Sequence, residues 1–179
     1  MAKQLLITTL LFLQLLSFGQ VTKVTDVREI TFLEVYKDGR LHWTSVKEHN
    51  KTPYVIEQFR WNKWIKIGEV DAVGMPTQNQ YSFHPAPHHG ENIFRIIPFI
   101  GSDSTSYKDV RWVAEMPLVK FSVQKKTQEI IFSSETMYEI NTISGELMKR
   151  GYALSVSIEN LPKGNYILNY DNLSTEFKK

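Results

Sequence analysis

The chain has 179 residues, 42 % of them hydrophobic, with no cysteine and a formal net charge of +2. That apolar share supports a packed core and argues against wholesale disorder. So balanced a charge argues against a nucleic-acid binder, and the missing thiols remove disulfide staples, thiolate zinc sites and cysteine nucleophiles.

Met1-Ala2-Lys3 carries one positive charge, Gln4–Leu16 is mostly apolar, and Ser17-Phe18-Gly19 puts small residues at −3 and −1 of a cut before Gln20. This is the three-part layout of a secretory signal peptide over 1–19, removed on export. The run is shorter than the ~20 apolar residues an anchor needs, so no transmembrane span is expected in the mature chain. An exported chain without cysteine relies on core packing alone.

Val21, Val24, Val27 and Ile30 lie three apart, as on one side of a helix, but four β-branched residues favour a lead-in plus a first strand. Ile30–Tyr36 is an apolar run closed by Lys37-Asp38-Gly39, a hairpin signal. Leu41 and Trp43 then share one face. Tyr54–Phe59 follows, with Trp61-Asn62-Lys63-Trp64 as a turn into Ile65–Val70. Tyr81–Phe83, Ile93–Ile100 and Tyr107–Ala114 complete seven short strands, and that spacing predicts a two-sheet sandwich.

After Pro117 the pattern restarts. Val119–Val123 and Ile130–Phe132 are apolar runs, and Tyr138–Ile143 turns at Ser144-Gly145 into Glu146-Leu147-Met148. Leu154, Val156 and Ile158 alternate with Ser155, Ser157 and Glu159, predicting one buried face. Leu161–Tyr166 is a Pro/Gly turn before a last buried face of Tyr166, Leu168 and Tyr170. The fold class expected is all-β, with units at 20–116 and 117–179.

Leu41-His42-Trp43, Tyr54–Glu57, Trp64–Val70, Tyr81-Ser82-Phe83 and Gly90–Ile96, in that order, resemble the fibronectin type III-like modules of secreted Bacteroidota proteins. The resemblance implies that Trp43 fills the sandwich centre, Gly90-Glu91-Asn92 turns into the sixth strand, and Phe94 sits in the core. Tyr138–Met148, Ser157–Tyr166 and the basic Lys178-Lys179 resemble the C-terminal sorting domain of the type IX secretion system. That likeness implies a docking motif of Gly145, Leu161, Pro162, Lys163, Gly164, Tyr166, Lys178 and Lys179. It also implies a translocon partner at the outer membrane and passage through the periplasm. A surface peptidase would then remove the domain and join the cargo to lipopolysaccharide. Met116-Pro117-Leu118-Val119 lacks the Pro-Asn-Pro-like opening of such domains. Two readings therefore stand: a removed export signal on a surface or secreted binding protein, or a retained docking module on an accessory subunit of an outer-membrane complex.

No catalytic motif appears, so an enzyme is not expected and no cofactor is implied. Glu34, Asp38, Glu48, Glu57, Glu69 and Asp71 read as solvated charges on strands and turns. His84, His88 and His89 have metal-ligand character, but Pro85, Pro87 and Gly90 favour a stiff exposed loop, and no metal is preferred. Arg60, Trp61, Lys63 and Trp64 form the candidate binding patch; the bland alternative packs Trp64 on the sandwich edge and exposes only Trp61. Asp103-Ser104-Thr105 resembles a short O-glycosylation motif and reads equally as an ordinary turn.

Overall fold

The computed structural model describes residues 28–98 and 108–179. The signal segment 1–19, Val21–Val27, Phe99–Ile100 and Asp103-Ser104-Thr105 lie outside them. Every regular element described is a β-strand. No helix there is long and apolar enough to cross a membrane.

The first seven strands are β1 (Glu29–Val35), β2 (Leu41–Val46), β3 (Tyr54–Arg60), β4 (Lys63–Val70), β5 (Asn79–Phe83), β6 (Gly90–Pro98) and β7 (Lys108–Ala114). They form two antiparallel sheets, ordered β1-β2-β5 and β4-β3-β6-β7. Alternation decides which side chains meet between them. Ile30, Leu41, Trp43 and Tyr81 from the first sheet join Tyr54, Ile56, Phe94 and Ile96 from the second in one buried cluster. Trp43 is fully buried, stacked on Tyr81 at 5.3 Å and edge-on to Tyr54 at 5.6 Å. The expected sandwich, with Trp43 at its centre and Phe94 in its core, is present.

Two turns differ from expectation. The β3–β4 turn is only Trp61-Asn62, at φ 50° and 60°, and Lys63 and Trp64 already belong to β4. Two positive φ values match the right-handed strand twist, as in a type I′ turn, although a bulky side chain rarely adopts them. Gly90-Glu91-Asn92 is not a turn but the first part of β6, with Gly90 paired to Ala114.

The remaining strands are β8 (Phe121–Gln124), β9 (Glu129–Thr142), β10 (Leu147–Ser157), β11 (Asn165–Tyr170) and β12 (Leu173–Lys178). Their order is β10-β9-β11-β12, with β8 also paired to β9. Ile130–Phe132 and Tyr138–Thr142 belong to one strand of 14 residues rather than two, and Ile143 lies in the turn that follows. The strand's first part pairs with β8 and its last with β11. Between them the β10 register jumps from Ala153↔Thr136 to Ser155↔Ile131. That irregularity bends the sheet and re-aims side chains. Leu154, expected inside, lies at the jump and is 50 % exposed, whereas Val156 and Ile158 are buried. A second cluster, including Ile130, Phe132, Ile140, Ile158, Leu168 and Phe177, shares no residue with the first.

Candidate functional site

The β3–β4 hairpin meets the β11–β12 hairpin, whose two-residue turn is Asp171-Asn172 with Asp171 at φ 49°. Arg60, the last residue of β3, is 1 % exposed. Its guanidinium donates to Gln58 Oε1 (2.7 Å), to the Ala86 carbonyl (2.6 Å) and to the Asp171 carbonyl (3.1 Å). Burial lowers its pKa to about 10, against the opposing charges of Asp171 and Tyr152. The Asp171 carboxylate turns the other way. It accepts from the amides of His89 (3.0 Å) and Val119 (3.4 Å), while its own amide donates to Thr136 Oγ1 (3.0 Å). One buried aspartate thus ties together the β5–β6 loop, the segment before β8, and β9.

Beside it, Lys63 Nζ donates to Glu139 Oε2 at 2.6 Å. Arg150 donates to Glu139 Oε1 from Nε at 2.9 Å, and its Nη2 lies 2.6 Å from the same oxygen. Glu139 is fully buried. Burial pushes its pKa up, but hydrogen bonds from Lys63 and Arg150, with their charges, prevail and hold it below the usual carboxylate range. The amide of Trp61 completes the contact with Asn172 Oδ1 at 3.4 Å.

The structure therefore divides the predicted Trp/Arg/Lys patch. Arg60 is inside the molecule, and Lys63 is paired to Glu139. Trp61 is half-buried at the turn. Trp64 packs edge-on to Phe59 at 5.3 Å, with the Arg95 guanidinium 4.2 Å from its ring centre.

The His84–His89 loop is also different from expectation. His84 and His89 are exposed, but His88 is fully buried. Its amide donates to Asn92 Oδ1 (3.0 Å), and Asn92 also accepts from Gln58 Nε2 (2.7 Å), which links the loop to Arg60. His88 Nδ1 lies 2.8 Å from the His89 carbonyl. The proton therefore belongs on Nδ1, leaving Nε2 as a buried lone pair without a partner. His89 Nδ1 bonds instead to the Met116 carbonyl at 2.5 Å. No three-ligand metal set occurs among the described residues.

Glu48 corrects the reading of scattered solvated acids. It is fully buried, accepting from the hydroxyls of Tyr54 (2.7 Å) and Tyr81 (2.7 Å) and from the Gly74 amide (2.9 Å). Burial raises its pKa, and these donors lower it further than burial raises it.

The predicted docking residues come together at the far end of the second unit. Gly145 makes the β9–β10 turn at φ 90°. The Tyr166 hydroxyl closes the Leu161–Tyr166 turn on the Pro162 carbonyl (2.8 Å). Lys179 donates from its amide to the Gly164 carbonyl (3.0 Å), and from Nζ to the carbonyls of Glu159 (2.6 Å) and Leu161 (2.5 Å). Lys163 and Lys178 stay exposed. Lys178 and Lys179 line a cleft of about 310 Å³ with Lys125, Gln128, Val123 and Ile158.

Sequence reading missed Asp171 and Glu139. Tyr170-Asp171-Asn172-Leu173 carried a hairpin signal for the first. Nothing local marks Glu139, because its partners Lys63, Arg150 and Asn169 all come from other strands. No protein-family model matches the chain, and no curated protein sequence does.

Proposed function

We propose that this chain is a non-catalytic binding or structural protein of the cell surface. In this reading the 117–179 unit stays attached and docks it as an accessory subunit of an outer-membrane complex. The observation that carries the reading is the Arg60–Asp171 contact. Removing 117–179 takes the Asp171 carbonyl from Arg60, which keeps Gln58 and Ala86, and takes the Glu139 carboxylate from Lys63. The buried carboxylates Glu48, Glu139 and Asp171 are each held by internal donors, which supports a non-catalytic role.

The type IX cargo reading, in which 117–179 is cut away, has one observation in its favour. Residues 115–120 form no strand, Pro117 is exposed, and Leu118 is 43 % exposed. Intact-mass measurement of the native protein from medium and from outer membrane separates the two. A species ending at Lys179 in a membrane complex is expected. A released species ending near Met116 overturns retention.

A further inference from the structure

We propose that the cleft beside Trp112 is a saccharide-binding subsite, an assignment that deepens the binding role above and rests on it. The cleft holds about 540 Å³ at the end of the first sandwich nearest the second unit. That lies within the usual range for ligand sites, about 300–1,000 Å³. It is lined by Lys37 and Asp38 of the β1–β2 turn, Pro87 of the β5–β6 loop, Trp112 of β7, and Glu115 and Met116 beyond it.

The aromatic wall is fixed. Trp112 lies so close over Gly39 that a Cβ there would meet its ring at 2.9 Å. The floor is fixed too, because His89 holds the Met116 carbonyl. Asp38 is engaged by Arg40, through its amide at 3.1 Å. Lys37 and Glu115 are exposed and have no ion-pair partner among the described residues.

The cleft therefore offers one aromatic wall, a free ammonium that only donates and a free carboxylate that only accepts. Sugar hydroxyls do both, and a pyranose has an apolar C–H face to lie on an indole. An alkyl ligand would leave the rim charges desolvated without partners. A proline-rich peptide wants a groove lined by several aromatics, and only Trp112 lines this one.

The test follows the indole N–H signals of the ¹⁵N-labelled full chain, which has four tryptophans, during titration with cellotriose, mannotriose and chitotriose. At least one trisaccharide should move the Trp112 signal saturably, with a Kd of about 1 mM or below. Trp112→Ala should abolish binding of that sugar, read from the ligand side by saturation-transfer difference. Should that variant fail to fold for want of the Gly39 contact, Glu115→Gln and Lys37→Met, both at exposed positions, carry the test through about tenfold weaker binding. The proposal is overturned if Trp112 stays still with all three sugars. It is overturned equally if only a proline-rich peptide moves the signal, or if binding survives in the variants. The intact-mass experiment does not depend on Trp112, so the two readings fail separately.

Discussion

Arg60 and Asp171 are both buried and adjacent, yet the guanidinium takes the aspartate's main-chain oxygen while the carboxylate serves the amides of His89 and Val119. The pair is a crossed anchor rather than a fork-to-fork salt bridge. Each residue satisfies groups that would otherwise be buried without partners. Arg60→Met should therefore lower stability by about 3 kcal/mol, since it orphans the Ala86 and Asp171 carbonyls and Gln58 Oε1. Asp171→Ala should cost about as much, and Asp171→Asn less, because the amide oxygen still accepts from one of the two backbone donors. Urea unfolding with an unchanged slope checks this. A loss below about 1 kcal/mol for both Arg60→Met and Asp171→Ala would mean that the two hairpins merely touch.

Strand periodicity makes the Leu41-Trp43 face and the Tyr166-Leu168-Tyr170 face legible in the sequence, because an alternating face depends only on near neighbours, whereas Phe94 in the core is legible only through the resemblance. The same rule fails at Leu154, where the β9–β10 register jumps, since a bulge is set by both strands at once. It fails again at Arg60 and Glu139. Local pattern places both charges at the surface, yet both are buried, and each bonds to a residue of the other unit. The candidate patch thus sits at the right address, while part of its chemistry faces inward.

Glu48 makes a second test. Lys47 at φ 60° turns the chain so that this carboxylate enters the sandwich end, where two tyrosine hydroxyls and the Gly74 amide all donate to it. In Glu48→Gln an N–H₂ replaces one acceptor and faces a donor. The expected loss is about 1–3 kcal/mol, the scale for unsatisfied buried polar groups. Burial, reinforced by the Glu48 hydrogen bond, pushes Tyr81 up to about 12. Ultraviolet titration of Glu48→Gln should show that pKa falling as the carboxylate is removed. An unmoved tyrosine titration would sink the account.

Two glycines separate backbone strain from steric conflict. Gly39 (φ +84°) and Gly145 (φ +90°) both sit where side chains are strained. A Cβ at Gly39 would also meet Trp112 at 2.9 Å, whereas nothing lies within 4 Å of one at Gly145. Gly145→Ala should cost about 1 kcal/mol and Gly39→Ala about 2–4 kcal/mol. Thermal unfolding of both, measured side by side, decides it. Equal losses would show that the Trp112 contact yields freely.

His88 predicts how the joined hairpins respond to acid. Burial is the main reason its pKa lies below the ordinary imidazole value. The charges of Arg60 and His89 act in the same direction, while its bond to the His89 carbonyl and the charge of Asp171 oppose them. The folded chain therefore binds this proton less readily than the unfolded chain does. The contribution of neutral His88 is fully present above the unfolded value, near pH 6.5. It falls as the pH drops through the window between the unfolded and folded pKa values. One proton sets a slope of at most about 1.4 kcal/mol per pH unit. The buried Glu139 adds its own loss only at lower pH, as its carboxylate, held below the usual range, takes up a proton. Unfolding free energies between pH 7.5 and 5 should decline in the native chain and flatten in His88→Gln. Should that variant not fold, the His88 ring signals in the native chain settle the matter. They should titrate with a midpoint below the ordinary imidazole value, and a midpoint at that value would refute the buried, lone-pair assignment of Nε2.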